Sequence, residues 1–454
     1  MRLSRRLYLL SIALGLLTFA LYLGLQAYMR PLAVEGIYFQ EWTSDTMMQT
    51  VAIDDLRSAP FTTLWNLHMQ PPALDTIRAV LAYAWRPLEG YALLHKVDGS
   101  LYILWACFAG ILTATMFLWF VQTTNRSLAL VATTLFAFHP GAILYATLLE
   151  SSFISSVLIF LTYYLLWRLY RNPRGSLIPI GLCVLALFFT RSMFQGPWLL
   201  LFIVVLVLLR VPGKHVASFS LTCGLIMAAY LGKQYYQFGT LSTHGWRGLN
   251  LCRGAGNYER YHLPDYLERL KTLPPTPELD ARLPKALTRR EKLTNAPNLN
   301  HVSYIELNKE IWTYCKERFF QTPWIDLLRS FQENLRIYLL PSSRYVTPHA
   351  IVDNLLWRES YERVFSAPFL VWAVGIAFLV ALATATRGTI VPRFALALPA
   401  LFIFIISVIA EKDENMRFKI FIEPVAYLFV VVQMTECARR VSRWWPSQST
   451  KKNI

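Results

Sequence analysis

Long apolar runs recur along this chain of 454 residues, and they constrain its fold more than any other feature. The chain is 55% hydrophobic and only 16% charged, a balance that is unlike that of a soluble domain of this size. A bilayer core about 30 Å thick is crossed by roughly 20 helical residues, and only helices or closed barrels satisfy the backbone there. Because the runs are continuous and do not alternate, the sequence predicts membrane-spanning helices.

The runs predict an all-α integral membrane bundle of about ten transmembrane helices. The predicted spans are 7–27, 101–121, 128–147, 152–168, 176–190, 197–210, 216–236, 367–386, 394–410 and 420–437. His139-Pro140-Gly141 interrupts the third span and predicts a broken helix, since proline cannot continue the helical hydrogen bonds.

Basic residues predict the orientation of this bundle. Alternate span ends carry about sixteen Lys and Arg and almost no acids, as cytoplasmic loops do. The formal net charge is +16, so topology accounts for the basic balance and a nucleic-acid partner is not indicated. The basic start and the apolar run after it predict a retained signal anchor, with both termini cytoplasmic. The basic C-terminal tail predicts contact with anionic membrane lipids.

Two segments are predicted to leave the membrane on the outer side. The first is 29–100, in which ALDTIRAVLAYAW has the apolar spacing of a helix lying on the bilayer surface. The second, 237–366, predicts a small subdomain of helices and loops. The domains are then a core over 1–236, this subdomain, and C-terminal helices with a basic tail over 367–454. Cys252 and Cys315 fall in the second segment, where pairing depends on an oxidising compartment.

Carboxylates are concentrated just after the first span. They are Glu35, Glu41, Asp45, Asp54 and Asp55. The spacing in EGIYFQEWTSD predicts helical register for Glu35, Tyr38, either Glu41 or Trp42, and Asp45. A carboxylate held there can act as a general base. A solvated helix beside the membrane is the structural alternative for any single acid, whereas the cluster as a whole favours a functional site.

The segment LHMQPPALD at 67–75 predicts a turn, since paired prolines end one helix and open the next. His68 and Gln70 are then presented just before the new helix. Substrate contact and a purely structural turn are equally compatible with this pattern.

Polar groups also mark the outer ends of several spans. They are His139, Tyr145, Glu150, Arg191, Gln195, Lys233 and the run EKDENMRFKIFIEP at 411–424. Arg417 and Lys419 in that run are predicted at the level of a lipid phosphate, where cations stabilise a phosphate leaving group. Snorkelling of basic side chains is the structural alternative. The outward position of these cations runs against the positive-inside bias and favours function.

Motifs for nucleotide or metal chemistry are missing from the sequence. It contains no GxxxxGK[ST], no GxGxxG after a strand, no HExxH and no DxD. The expectation is therefore an activity with no cofactor, in which a divalent metal is possible but not supported.

Taken together, these features resemble the GT-C glycosyltransferases, which include protein O-mannosyltransferases, aminoarabinose transferases acting on lipid A, and a bacterial branch with an RgtA/B/C/D-like domain. The resemblance covers most of the chain in architecture. Its motif support lies in 35–45, 68–72, 233–250, PSSRY at 341–345 and ENMRFKIFIEP at 414–424. The mannosyltransferases have an Asp-Glu pair where this chain has Val34-Glu35, so either Glu35 or Asp45 is the catalytic candidate.

The resemblance implies an inverting transfer of a hexose or pentose from a polyprenyl-phosphate donor. The acceptor is a glycan, lipid or protein outside the membrane, and the protein belongs to a bacterial inner membrane with its site facing the periplasm. Glu35 or Asp45 takes the acceptor proton. The implied substrate-binding residues are Tyr38, Glu41, His68, Gln70, Arg191, Lys233, Arg247, Arg417 and Lys419.

Two other classes of protein remain open at this point. A transporter or flippase of lipid-linked sugars would carry paired charges within the membrane, and such proteins often have two related halves. No internal repeat is apparent in the sequence. A membrane scaffold without catalysis would instead scatter the acids of 35–55 over a solvated surface.

Overall fold

A computed structural model describes residues 4–29, 33–34, 37–38, 43–47, 49–254, 289–345, 350–365, 374–377, 379–381, 387–410 and 415–444. Helices make up most of these residues, and a two-stranded antiparallel hairpin is the one sheet among them. The strands are β1, Ala33–Val34, and β2, Ile37–Tyr38.

The helices of the N-terminal half follow one another with short connections. They are α1 Arg5–Met29, α2 Ile53–Ser58, α3 Pro60–Trp65, α4 Ala73–Ala84, α5 Gly90–Thr123, α6 Arg126–Ala137, α7 Pro140–Thr147, α8 Ser151–Arg171, α9 Ile178–Thr190, α10 Gly196–Leu208 and α11 Gly213–Phe238.

The described helices beyond α11 are fewer and more varied in length. They are α12 Arg247–Gly254, α13 Ser303–Gln321, α14 Trp324–Tyr338, α15 Ala350–Asp353, α16 Arg358–Phe365, α17 Arg387–Ala410 and α18 Glu423–Trp444. Two 3₁₀ segments, Ser342–Arg344 and Asn415–Phe421, lie between them.

The protein is an all-α, multi-pass membrane protein. Within the described residues, five helices are long and apolar enough to cross a bilayer, namely α1, α5, α8, α11 and the part of α17 over Val391–Ile409. Two bent pairs raise the number of candidate spans to as many as seven. The predicted spans at 176–190 and 197–210 form α9 and α10, each of 13 residues and too short to count by length. Most of the predicted span 367–386 lies outside the described residues.

The break predicted in the third span is present. Helices α6 and α7 meet at an angle of 49°. Pro140 lies at the start of α7, where its missing N–H costs nothing, and His139 Nδ1 accepts a hydrogen bond from the Ala142 N–H at 3.2 Å. His139 and Pro140 therefore lie between the end of α6 at Ala137 and the first turn of α7, which they begin.

The second predicted span, 101–121, lies within α5, but the helix itself begins earlier, at Gly90. The polar residues of 90–100 suggested a loop. Leu93, Leu94 and Val97 are nevertheless fully buried at helical spacing, and they continue the apolar face into the span. At 34 residues, α5 is about 51 Å long, so its first turns extend beyond a bilayer core.

The predicted helical register around Glu35 is also wrong. Ala33 pairs with Tyr38 and Val34 with Ile37 in the antiparallel hairpin, so Tyr38 belongs to a strand. The apolar, aromatic and β-branched residues on both sides of Glu35-Gly36 suit a hairpin with a two-residue connection. Glu35 and Glu41 themselves lie outside the described residues.

The second outer segment packs against the first. Cys252 on α12 and Cys315 on α13 form a disulfide with their Cα atoms 5.0 Å apart. The Gly245 N–H donates to the Met69 carbonyl at 3.2 Å, and the Met69 N–H donates to Asn300 Oδ1 at 3.2 Å. The turn after α3 is therefore held by backbone and side chains from the second segment.

A close glycine contact joins α1 to α5. A Cβ on Gly15 would lie 2.9 Å from the Gly110 carbonyl oxygen, and a Cβ on Gly110 would lie 2.7 Å from that of Gly15. Ser11 Oγ donates to the Ala114 carbonyl at 3.1 Å, one turn away. Small residues allow this approach of two membrane helices, and packing, not hydrophobicity, then stabilises the pair.

Replacing Gly15 with alanine should weaken this contact, because the new methyl group meets backbone atoms that have no rotamer to adjust. We expect the free energy of unfolding to fall by about 1–3 kcal/mol. Gly24 on the same helix has no heavy atom within 4 Å of its ideal Cβ position, so Gly24→Ala is the matched control. Thermal unfolding in detergent micelles measures both, and equal unfolding midpoints would contradict the packing argument.

Candidate functional site

Asp45 is fully buried between the first span and α2, and its two carboxylate oxygens have different surroundings. Oδ1 accepts hydrogen bonds from Arg78 Nη2 at 2.9 Å and from the Ile53 N–H at 3.0 Å. Oδ2 has no hydrogen-bond partner among the described residues. One oxygen therefore fixes the side chain, and the other is buried without a described partner.

Arg78 on α4 is the centre of this group and is also fully buried. Its Nη1 donates to Asp75 Oδ1 and to the Val51 carbonyl, both at 2.7 Å, and its Nε donates to Ser44 Oγ at 3.0 Å. Burial opposes the charge, but Asp75 and Asp45 outweigh it and raise the pKa of Arg78 above its ordinary value. The guanidinium therefore stays charged and orients Asp45.

Asp75 shares Arg78 with Asp45 but uses both of its oxygens. Oδ1 binds Arg78 and accepts the Val51 N–H at 3.3 Å, and Oδ2 accepts from Gln70 Nε2 at 2.9 Å. Gln70, which the sequence predicts to bind substrate, therefore donates to Asp75, whose two oxygens both accept hydrogen bonds. The two aspartates differ in what they can still bind.

Lys292 completes the group from the second outer segment. Its buried Nζ donates to the Asp45 carbonyl and to Thr50 Oγ1, each at 3.1 Å, and also to the Met47 carbonyl. Burial lowers the pKa of Lys292 to about 7. Asp98 on α5 accepts the Ser44 N–H at 3.1 Å. We call Asp45, Asp75, Arg78, Asp98 and Lys292 the aspartate–arginine cluster.

Arg191 and Arg417 form a second group, which we call the arginine pair. Glu150 Oε1 accepts from Arg191 Nη2 at 2.6 Å and from Arg417 Nη1 at 3.3 Å, and Arg417 also donates to the Tyr345 hydroxyl at 3.2 Å. Burial alone would raise the pKa of Glu150. The two guanidiniums outweigh burial and hold this pKa below its ordinary value. Two cations facing one carboxylate leave a net positive charge, as a phosphate site requires.

The two groups lie at the same end of the bundle. Trp105 Nε1 donates to the Glu150 carbonyl at 3.2 Å, and Trp105 follows Asp98 by seven residues on α5. Seven residues are two helical turns, about 10 Å along the axis, and they return to the same helix face. Both side chains are buried. The aspartate–arginine cluster and the arginine pair are therefore linked through one face of α5.

Lys419, the other cation predicted for phosphate, lies in a buried junction. Its Nζ donates to the carbonyls of Tyr338, at 3.3 Å, and Leu340 at the end of α14. Glu423 beside it accepts from Ser342 Oγ at 2.8 Å, with His139 Nε2 at 3.3 Å. Lysine near helix-terminal carbonyls stabilises them, so Lys419 has a structural role in this arrangement.

His68, Lys233 and Arg247 lie in neither group. Burial lowers the pKa of His68 to about 4, so its ring is neutral at pH 7, and it packs 5.0 Å from the Phe238 ring. The Lys233 ammonium faces the rings of Trp65, Tyr230 and Phe238 at 5.3–5.5 Å. Arg247 lies over the Trp312 ring at 3.8 Å. No contact of these three side chains with Asp45 is present within the described ranges.

Several functional side chains could not be predicted from the sequence. Asp75 and Arg78 carry a weak signal, an acid and a base three residues apart on an amphipathic helix. Asp98 precedes the apolar run of the second predicted span, where an acidic residue suggests an exposed loop. Lys292 carries no signal, since it comes from a polar stretch more than 240 residues from Asp45.

No protein-family model matches the chain, and no curated protein is significantly similar to it. Among the described residues, no group of three or more His, Cys, Asp or Glu side chains is arranged to hold a metal ion.

Stability should depend on pH through Lys292. Since burial lowers its pKa from 10.5 to about 7, the unfolded chain binds more protons than the folded one between these values. Below about pH 7, the buried ammonium lowers the free energy of unfolding by its full amount. This destabilisation disappears as the pH rises towards 10. Lys292→Met should remove this gain in stability with pH, whereas Lys309→Met, at an exposed ion pair, should retain it. Thermal unfolding from pH 7 to 10 measures the difference, and parallel profiles for wild type and Lys292→Met would contradict it.

Proposed function

We propose that this protein is a GT-C-type glycosyltransferase that moves a sugar from a polyprenyl-phosphate donor to an acceptor outside the membrane. The observation that carries the proposal is the link between a buried carboxylate with one uncommitted oxygen, Asp45, and the arginine pair at the same end of the membrane bundle. A base and a phosphate site, linked here through one face of α5, are the two elements that such a transfer needs.

Asp45 acts as the base in this mechanism. Its Oδ1 is held by Arg78 and by a backbone N–H, so Oδ2 keeps a fixed direction. Oδ2 accepts the proton of the acceptor hydroxyl as the hydroxyl oxygen attacks the anomeric carbon. Direct displacement inverts that carbon in a single step. Glu35, which the resemblance favours over Asp45, is the alternative candidate for the base.

The arginine pair receives the leaving group. As the bond from the anomeric carbon to the phosphate oxygen breaks, negative charge grows on polyprenyl phosphate. Arg191 and Arg417 donate hydrogen bonds to that charge, which stabilises the transition state more than the ground state. Their side chains are only 16% and 11% exposed, so the interaction is weakly screened by solvent. The polyprenyl tail remains in the bilayer beside the spans.

Two observations favour an outer, periplasmic location for this end of the bundle. The basic residues at the opposite span ends favour a cytoplasmic location for those loops and for both termini. The Cys252–Cys315 disulfide in the second outer segment is typical of an oxidising compartment. A bundle of about ten spans in a bacterial inner membrane remains part of this proposal.

A flippase of lipid-linked sugars is the second candidate. Transporters of this class need paired charges near the membrane, and the structure contains buried charge pairs. His139 with Glu423 and Arg191 with Glu150 are examples. These pairs lie at the starts and ends of helices and do not form a series along the spans. Transport by proteoliposomes without release of polyprenyl phosphate would favour the flippase.

Asp45→Asn should lower turnover by about 10²–10⁴-fold, because the amide keeps a hydrogen-bond acceptor for Arg78 but cannot take a proton. Release of polyprenyl phosphate from a panel of polyprenyl-phosphate hexoses and pentoses measures turnover in membrane preparations. Glu35→Gln is measured in parallel, since Glu35 is the other candidate base.

Asp75→Asn is the matched control for this prediction. It removes the other carboxylate that binds Arg78, so it should lower the thermal unfolding midpoint but retain most of the turnover. Full turnover in both Asp45→Asn and Glu35→Gln would refute the assignment of the base. Equal losses in Asp45→Asn and Asp75→Asn would mean that Asp45 is only structural.

Arg191→Gln and Arg417→Gln should each slow donor cleavage by about 10–10³-fold, since each removes a donor to the developing phosphate charge. Arg363→Gln is the control, because Arg363 on α16 forms an exposed ion pair with Glu359, with 3.1 Å between Nη2 and Oε2. The assay is the release of polyprenyl phosphate at saturating donor. Unchanged turnover in both variants would exclude the arginine pair as the leaving-group site.

A further inference from the structure

Helix α14 has three distinct faces. Leu327, Ser330, Asn334 and Tyr338 are buried against the rest of the protein. On the adjacent face, Trp324, Leu328 and Leu335 are exposed, and Phe331 lies between them half-buried. The third face is charged, because each residue of a helix is rotated by about 100° from the one before it. Its residues are Asp326, Arg329, Glu333 and Arg336. The helix thus carries an apolar stripe that the described part of the protein leaves partly exposed, from 36% at Leu335 to 67% at Trp324.

The C-terminal turn of α14 lies at membrane depth. The Tyr338 ring packs edge-on against the Phe404 ring, with centroids 5.3 Å apart. Asn334 Nδ2 donates to the Val408 carbonyl at 3.0 Å. Phe404 and Val408 belong to the last two turns of the candidate span Val391–Ile409. Exposed Leu335, between Asn334 and Tyr338, is therefore level with the end of a span, where the surrounding medium is lipid.

Helix α14 cannot itself cross a bilayer. Its 15 residues extend only about 22 Å and include four charged side chains. Arg329 and Arg336 border the stripe on the side away from the protein core. Basic side chains next to an apolar stripe place their charges among lipid phosphates while their stems remain in apolar surroundings. The arrangement is that of an amphipathic helix immersed in one leaflet.

We propose that α14 binds lipid, with the stripe of Trp324, Leu328, Phe331 and Leu335 immersed in the leaflet at which α17 ends. The occupant of the stripe is the acyl-chain region of the bilayer. This inference does not depend on the transferase activity. It does bear on that site, because Lys419 joins the end of α14 to the 3₁₀ segment that contains Arg417. A helix anchored in the leaflet holds the arginine pair at the level of lipid phosphates.

Nitroxide labels on single cysteines test the proposal in the full chain reconstituted into phospholipid vesicles. Cys107, Cys183, Cys223 and Cys437 are replaced by alanine, and the disulfide is kept. Labels at Leu328 and Leu335 report on the stripe, and labels at Arg329 and Glu333 report on the charged face. All four side chains are exposed, so the substitutions should not disturb the core. A label at Ile409, exposed at the end of the span, provides the lipid reference.

We expect the accessibility ratio of molecular oxygen to a water-soluble nickel chelate to be several-fold higher at Leu328 and Leu335 than at Arg329 and Glu333. The ratio at the stripe should approach that at Ile409. Equal nickel accessibility at all four positions of α14 would mean that the stripe faces water and would overturn the proposal. Shielding of Leu328 and Leu335 from both reagents would overturn it as well, since a second copy or another protein would then cover the stripe.

Discussion

The buried Arg78 guanidinium is the charge on which the outer part of this protein depends. It has no access to water, so its stability requires carboxylates in direct contact, and these come from two different segments. Asp75 is on its own helix, whereas Asp45 is in the loop after the first span. Breaking a buried ion pair costs about 3–5 kcal/mol where it leaves a charge without a partner. Because Asp45 and Asp75 share Arg78, these ion pairs hold the loop that contains Asp45 against α4.

Helix α5 relates that position to the membrane. It packs along α1 through the glycine contact at Gly15 and Gly110, binds the Asp45 loop through Asp98, and binds the start of α8 through Trp105. The distance between the aspartate–arginine cluster and the arginine pair is thus determined by the rise of a continuous helix. Under the proposed function, this rigidity maintains the separation of base and phosphate that a direct displacement needs.

Periodicity in the sequence predicts the parts of the fold that local chemistry determines. The apolar runs predict the spans, His139-Pro140 predicts the break between α6 and α7, and the apolar spacing near residue 75 predicts α4. The start of α5 could not be predicted, because Asp98 is polar by itself and its buried carboxylate is stabilised by Ser44 and Arg78, which are distant in sequence. Asp45 was identified among the acids, but its partner Lys292 depends on a tertiary contact that spacing along the chain does not encode.

Glu150 gives the arginine pair a property that two arginines alone would lack. Its carboxylate holds both guanidiniums in place before any ligand binds, so little reorganisation is needed when negative charge develops. It also neutralises one of the two positive charges. A site with two unopposed arginines would bind polyprenyl phosphate tightly as a product and would slow its release, whereas transition-state charge is what catalysis must favour. Under the proposed function, Glu150 would therefore limit ground-state affinity for polyprenyl phosphate while keeping the geometry, which is the balance that a leaving-group site requires.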